Sequence, residues 1–213
     1  MSYKKIIKSD ILETISKIAD KNSYEIFVVG GYVRDSFLGK KTKKDIDILV
    51  LGNGIEFANL VALNLKIKIQ VFKNFGTAMI KIKGFQIEFV GARKESYSES
   101  SRNPKIKKGS LSDDLSRRDF TINALAIRLN GKEKGELIDN HNGLNDLSNN
   151  ILKTPKDPIK TFHDDPLRML RAIRFSSQLN FEIDKNDFEC IKDESERIKI
   201  ISMERINDEL NKI

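Results

Sequence analysis

The chain switches between two hydrophobic periods, and the switches outline its elements. Between residues 9 and 22, Ile11, Leu12, Ile15, Ile18 and Ala19 recur at helical spacing, with Ser9 or Asp10 placed to cap the first turn. A short apolar run at 25–29 reads as a strand and 32–38 as a helix. After a polar loop at 39–44 comes a strand at 45–50. Side chains alternate along a strand, so Asp45 and Asp47 share one face while Ile46 and Ile48 point into a core. Residues 53–65 read as a helix. The alternation Lys66-Ile67-Lys68-Ile69-Gln70-Val71 predicts a half-buried strand over 66–72. Strands at 77–82 and 85–90 flank Lys83-Gly84, a two-residue hairpin signal. In the second of them Gln86, Glu88 and Val90 lie opposite Phe85, Ile87 and Phe89.

Periodicity stops at 94–112, where Ser, Glu, Lys, Pro104 and Gly109 dominate; a long mobile loop is expected there. Residues 113–127 turn helical, and 129–139 suggest a short hairpin around Asn130-Gly131. From Asp157 the pattern is helical to the end, through 166–178, 185–192 and 203–213. The shift near residue 150 divides the chain into a sheet-bearing lobe, 1–150, and an all-helical extension, 151–213. The class expected is α+β.

Composition narrows the function. The 213 residues suffice for one well-packed domain or one and a half. A hydrophobic content of 39% and a mean hydropathy of −0.41 describe a soluble globular protein. No apolar run approaches a membrane span, and Met1-Ser2-Tyr3-Lys4-Lys5-Ile6-Ile7-Lys8 lacks the apolar core of a signal peptide. The single cysteine, Cys190, excludes an internal disulfide and a thiolate metal cluster, and reads as a half-buried hydrophobe on a helix. Together these features point to the cytoplasm and to no membrane partner. A net charge of +7 and an isoelectric point near 9.3 favour a polyanionic partner. The densest clusters are Lys4-Lys5, Lys40-Lys41-Lys43-Lys44 and Lys105-Lys107-Lys108. Lysines occur throughout, so the charge permits RNA binding without specifying it.

The chemistry concentrates in Phe27–Asp35 and Asp45–Asp47. Two carboxylates side by side on a rigid strand repel each other unless a cation sits between them. Mg²⁺ suits such a site, because it prefers oxygen ligands and shares them with substrate phosphates. Gly30-Gly31, at the mouth of the preceding helix, lets backbone N–H groups approach an anion. A triphosphate held at that turn would meet a metal held at the strand, the layout of phosphoryl or nucleotidyl transfer. Gly30-Gly31-Tyr32-Val33-Arg34-Asp35 with Asp45-Ile46-Asp47 resembles the signature of the DNA polymerase β-like nucleotidyltransferases. The branch is the one holding the class II CCA-adding enzymes and bacterial poly(A) polymerases. The resemblance implies a polymerase β-like palm with a mixed, mainly antiparallel sheet flanked by helices, followed by a helical neck.

Two further motifs extend it. Arg117-Arg118-Asp119-Phe120-Thr121-Ile122-Asn123-Ala124-Leu125-Ala126 resembles the family's motif B. On a helix Asp119 and Asn123 lie one turn apart, able to bond the ribose hydroxyls, and Arg118 can reach a phosphate. The stretch from His163-Asp164-Asp165-Pro166-Leu167-Arg168 to Arg174-Phe175 resembles the family's base-selecting motif, with Asp164 where Glu is more usual. An Asp carboxylate only accepts hydrogen bonds and an Arg guanidinium only donates. Side by side, Asp165 and Arg168 match the amine and ring nitrogen of cytosine or adenine, and mismatch uracil and guanine. Each wrongly faced buried polar group costs roughly 1–3 kcal/mol, so two give discrimination on the order of a hundredfold to ten-thousandfold. Arg171 and Arg174 continue the stripe as supports or phosphate contacts. Glu88 is a candidate third metal carboxylate. Arg102-Asn103-Pro104 falls where the family carries a flexible loop, and Glu204–Lys212 resembles the neck motif that braces the base-selecting helix.

The resemblance implies a template-independent nucleotidyltransferase that builds or repairs the tRNA 3′-terminal CCA from CTP and ATP. Asp45 and Asp47 would hold two Mg²⁺ ions; Gly30, Gly31, Arg34 and Arg118 the triphosphate; Asp165 and Arg168 the base. The family's body and tail domains, which grip the tRNA elbow, are expected to be absent, and the oligomeric state stays open. A bacterial poly(A) polymerase, a partial CC- or A-adding enzyme, and an idle nucleotide- or RNA-binding module are the alternatives. An HD-type phosphohydrolase needs more than the two histidines present.

Overall fold

The computed structural model describes residues 2–40, 44–98 and 101–213, which leaves Lys41 and Lys43 of the lysine-rich loop outside. In chain order the elements begin with α1 (Asp10–Lys21), β1 (Ile26–Val29), α2 (Gly31–Phe37), β2 (Asp45–Val50) and α3 (Gly54–Leu65). There follow β3 (Ile69–Phe72), β4 (Thr77–Ile82), β5 (Phe85–Gly91), β6 (Arg93–Ser98), β7 (Ser101–Lys108) and α4 (Leu111–Ser116). Next come β8 (Ala126–Arg128), β9 (Leu137–Ile138), α5 (Gly143–Ser148), β10 (Ile151–Leu152) and α6 (Pro158–Asp164). The chain closes with α7 (Leu167–Leu179), β11 (Glu182–Ile183), α8 (Lys185–Asp193) and α9 (Met203–Leu210). These form two compact units: residues 1–94, 108–115 and 125–140, and residues 95–107, 116–124 and 141–213. Among the described residues no helix is long and apolar enough to cross a membrane.

The first unit is a seven-stranded sheet in the order β3-β4-β5-β2-β1-β8-β9. Only β2 and β5 run parallel; the other neighbours are antiparallel, which makes the sheet mixed and mainly antiparallel as expected. Ile46, Ile48, Phe57, Phe89 and Ile80 fill the core at 0–1% exposure. Helix α3 lies on β4 and β5. Its first turn is capped by Asn53, whose Oδ1 accepts the N–H groups of Ile55 (3.1 Å) and Glu56 (3.3 Å). That turn presses against the end of β5, and glycines make the approach possible. A Cβ on Gly54 would stand 2.6 Å from the Gly91 nitrogen and 2.8 Å from the Val90 carbonyl carbon. The β4–β5 hairpin turns on Lys83-Gly84, both with positive φ (49° and 79°), the primed-turn geometry that matches the strand twist.

Several expectations need correction. Residues 94–112 are not one long loop: β6 and β7 pair as a two-stranded sheet that includes Arg102-Asn103-Pro104. Backbone pairing requires no apolar alternation, and Pro104 is tolerated because both strands of a two-stranded pair are edges. Residues 113–127 are not one helix. After α4 the chain makes a single 3₁₀ turn at Thr121–Asn123, and the run from Ala126 is β8, hydrogen-bonded to β1. A side-chain bond competes with the helix there, since Asp119 Oδ1 accepts the Phe120 N–H at 2.8 Å. The strand expected over 66–72 begins at Ile69, because Lys66 (φ 53°) ends α3 in the left-handed region. The hairpin at 129–139 exists as β8–β9 but does not turn at Asn130. That buried side chain accepts from Ile26 N–H (3.0 Å) and donates to Asp20 Oδ1 and the Tyr24 carbonyl (2.8 Å each), tying α1 to β1.

The second unit is mainly helical but not wholly so, since β10 and β11 pair in parallel. Two-residue strands are too short to leave a period. Phe162 on α6, Met169 on α7 and Cys190 on α8 form an apolar cluster with Ile191 and Ile198 against it. Burial pushes the Cys190 thiol up to about 11, helped by nearby carboxylates. Asp187, 1% exposed, accepts the Thr154 N–H at 2.6 Å and its hydroxyl at 3.2 Å, which fastens α8 to the segment after β10.

Replacing Gly54 by Ala drives a methyl into backbone that cannot rotate away. The Gly54→Ala protein is expected to lose about 1–3 kcal/mol of stability, read as a lower midpoint in urea denaturation.

Candidate active site

β2 carries the centre of the site because it is held on both sides. Against β1 it pairs Val29 with Asp47; against β5 it pairs Asp45 with Gln86 and Asp47 with Glu88. Burial alternates as the pleat requires: Asp45 and Asp47 are exposed, while Ile46 and Ile48 are 1% and 0% exposed. The carboxylates therefore lie on one open face of the sheet. Glu88 stands beside Asp47 in the next strand, half-buried. Among the described residues no group of three or more His, Cys, Asp or Glu side chains converges to hold a metal ion. Two outward carboxylates nonetheless match what Mg²⁺ takes from a protein when water and phosphate oxygens complete its octahedron.

The glycine turn stands at the same end of the sheet. β1 is antiparallel to β2, so Gly30, which follows Val29, emerges beside the Asp45–Asp47 segment. Gly30 adopts φ 72°, a left-handed conformation that side-chain-bearing residues rarely take, and α2 starts at Gly31. The Arg34 guanidinium lies under that turn; a Cβ on Gly31 would stand 3.5 Å from its Nη2. Arg34 is 6% exposed and paired with its neighbour Asp35, Nε to Oδ1 at 2.8 Å. Its charge is thus partly answered within the protein, directly beneath the glycines.

The other candidates gather in the second unit around Asp119. Its Oδ1 accepts from the Phe120 N–H and from Asn123 Nδ2 at 3.0 Å. Its Oδ2 accepts from Arg171 Nε at 2.9 Å and from Arg171 Nη2. Asp119 and Asn123 are adjacent as expected, but through the 3₁₀ turn rather than an α-helix. Burial works against the Asp119 charge, yet Arg171, the Asn123 bond and Arg168 outweigh it and hold the carboxyl well below the usual range. Arg171 and Arg174, read from the sequence as supports or phosphate contacts, converge on Glu209 of α9. Arg174 Nε is 3.0 Å and Arg171 Nη1 3.7 Å from that carboxylate, which is 5% exposed. Arg174 also lies 4.5 Å over the Phe175 ring. Glu209 was not singled out from the sequence. Its signal was available: it sits three residues after Ile206 on the inward face of α9.

Arg168 differs from its neighbours. It makes no ion pair with Glu209; its Nη2 donates to the Arg117 carbonyl at 2.8 Å, and it is half-buried. Asp165 shares the turn: its Oδ1 accepts the Leu167 N–H at 3.2 Å and its carbonyl accepts the Arg168 N–H at 3.0 Å. Arg118 donates from Nη1 to the Asn123 carbonyl at 3.3 Å. Burial raises the pKa of Asp164, against Lys160, Arg168 and His163.

Arg171→Ala would leave Asp119 as a buried charge without its main partner. The expected loss is about 3–5 kcal/mol at neutral pH. A depressed native pKa gives stability that is full above the unfolded value of 3.8 and is lost as pH falls through the native one. The gap between wild type and variant in urea melts should therefore be wide at neutral pH and narrow as the pH drops below that value.

Comparison with known proteins gives these motifs relatives. An A-adding tRNA nucleotidyltransferase of Aquifex aeolicus is 42% identical over 166 residues, 78% of this chain and 20% of that protein. A CCA-adding enzyme of Lactobacillus helveticus is 39% identical over 192 residues, 89% of this chain and 46% of that protein. The solved CCA-adding enzyme of Thermotoga maritima complexed with tRNA superposes with a TM-score of 0.84 at 33% identity, covering 100% of this chain and 50% of that one. The chain thus spans half or less of the length of these relatives. Residues 180–213 match a second model, the probable RNA and SrmB-binding site of polymerase A. The poly A polymerase head domain model begins at Ile26, the first residue of β1, and runs to Lys153, taking in both the carboxylate strand and the Asp119 turn, and the chain belongs to that family.

Proposed function

We propose that this chain works as a template-independent nucleotidyltransferase acting on the 3′ end of tRNA, with CTP and ATP as substrates and pyrophosphate as product. The observation that carries the reading is the outward pair Asp45 and Asp47, set beside the Gly30 turn by the pairing of Val29 with Asp47. In this reading the two carboxylates hold Mg²⁺, which when bound neutralises phosphate charge in the transfer. Gly31 and Arg34 receive the triphosphate, with Arg118 as a further phosphate contact. Asp165 and Arg168 face the base. Arg171 and Arg174, tied to Asp119 and Glu209, hold α7 so that Arg168 keeps a fixed position. The names of the Aquifex, Lactobacillus and Thermotoga relatives support tRNA as acceptor, and the match over 180–213 supports an RNA partner. The cytoplasm, where tRNA and nucleoside triphosphates meet, is the compartment this reading implies.

A narrower activity, addition of the terminal adenosine alone, is favoured by the 42% identity to an A-adding relative. Incubation of the protein with Mg²⁺, labelled CTP and ATP, and tRNA lacking its end separates the readings. Two cytidines followed by one adenosine support the full activity. One adenosine placed only on tRNA already ending in CC supports the narrower one. A long adenosine tail, or no incorporation at high enzyme, overturns both.

Asp45→Ala and Asp47→Ala should each lower kcat by at least about a thousandfold, which corresponds to roughly 4 kcal/mol of transition-state stabilisation. Thermal melting should barely move, because both side chains are exposed. Arg168→Ala should narrow the preference for CTP over UTP in kcat/KM by about tenfold or more, the equivalent of one mismatched polar group. An unchanged preference would remove Arg168 from base reading.

A further inference from the structure

A second candidate site lies on the far side of β2 from the glycine turn, and it rests on the nucleotidyl-transfer reading above. Asp45 pairs with Gln86, and Gln86 pairs with Lys81, so the three form one cross-strand row from β2 through β5 to β4. All three are exposed, while Ile46, Ile87 and Ile80, the next position along each strand, are buried. The row therefore shares the open face that carries the candidate metal carboxylates. At its end the Lys83-Gly84 turn closes the β4–β5 hairpin. Lys44 folds over that turn: a Cβ on Gly84 would stand 3.1 Å from its Nζ, and its carbonyl accepts the Gln86 N–H at 2.8 Å. Asp45, Lys81, Ile82, Lys83, Gly84, Phe85 and Gln86 line a cavity of about 370 Å³. Lys81 and Lys83 thus line a hollow with the Asp45 carboxylate at its edge, and Lys44 lies over the turn that closes it.

Lys44, Lys81 and Lys83, all exposed, give this edge of the sheet a local positive charge that favours a polyanion. Phe85 and Ile82 pair across the hairpin on its other face, so the open side of the row is polar. Cations on an open strand face suit the phosphates of a nucleic-acid strand. Position decides which substrate this is. β1 and its glycine turn flank β2 on one side, and β5 with β4 flank it on the other. With strands about 4.8 Å apart, Lys81 lies two strand spacings, on the order of 10 Å, from Asp45, on the side opposite the candidate triphosphate turn. A transfer reaction needs its hydroxyl-bearing acceptor to approach the carboxylates from the side that the triphosphate leaves open. We propose that Lys44, Lys81 and Lys83 grip the phosphodiester backbone of the acceptor RNA strand and deliver its 3′-hydroxyl to Asp45 and Asp47.

The test is a triple variant, Lys44→Gln with Lys81→Gln and Lys83→Gln, read by fluorescence anisotropy with a labelled acceptor-stem minihelix RNA ending in CC, without added nucleotide. The expected result is a Kd for RNA raised tenfold or more. The slope of log affinity against log salt should fall by about 2, at roughly 0.7 per phosphate contact on a single strand. Affinity for CTP, measured by calorimetry on the same protein, should stay within about twofold, since no triphosphate contact has been removed. Unchanged RNA affinity overturns the proposal. Weaker CTP binding with unchanged RNA binding, or tighter competition by pyrophosphate in wild type than in the variant, assigns the hollow to the triphosphate and overturns it too. Should the triple variant fail to fold, Lys83→Gln alone, at an exposed turn, carries the same RNA measurement. A wild type that binds RNA through these lysines but incorporates nothing defeats the nucleotidyl-transfer reading and leaves an RNA site. Normal incorporation with lysine-independent RNA binding defeats only the acceptor site.

Discussion

The register of β2 between an antiparallel and a parallel neighbour is the constraint on which the head depends. Burial of Ile46, Ile48 and Val50 sets it. A slip of one residue would turn both aspartates into the core and those apolar side chains into water. Burying an unpaired carboxyl group costs several kcal/mol even when it protonates, so burying two takes most of the roughly 5–15 kcal/mol that holds a typical domain together. The fold and the exposure of the acidic pair are therefore one fact. The pairings with Val29, Gln86 and Glu88 carry that fact outward to the glycine turn on one side and the lysine hairpin on the other.

The helical unit solves a different problem. It places the carboxylates Asp119 and Glu209 at 8% and 5% exposure, where a buried charge is costly unless a cation meets it. Arg171 reaches both, and Arg174 meets Glu209. Replacing such a network by apolar side chains of similar volume is often neutral for stability. What the charged version adds is direction. Guanidinium forks bond in a plane, so two of them fix the rotation of α7 about its axis more closely than leucines would. Arg168 lies one turn before Arg171 on the same helix and inherits that rotation.

The acidic pair was legible because its alternation with isoleucine is a strand signature that needs no tertiary knowledge. Lys83-Gly84 was legible for a similar reason, a turn type with a narrow residue requirement. The strands β6 and β7 were not legible, since their pairing is satisfied by backbone alone. The segment from Asp113 to Ile127 misled because its apolar spacing fits a helix. What decides it is one local hydrogen bond at Asp119 and the vacancy beside β1 that β8 fills. Arg171 and Arg174 show a third limit. A basic stripe at a spacing of three looks the same in sequence whether it faces phosphate or carboxylate. Only the arrival of Glu209 from a distant helix tells which. Asp119 and Asn123 were paired correctly on a wrong premise, since a tight turn brings them as near as an α-turn would.

Cys190 has a practical consequence. With its thiol pushed up to about 11, only on the order of one molecule in ten thousand carries the reactive thiolate at neutral pH. Its packing against Phe162 and Met169 also screens it from reagents. Maleimide dyes, alkylating agents and mild oxidants should therefore pass this chain by in its native state. A cysteine introduced on an exposed loop would then be a unique handle for a spin label or a fluorophore.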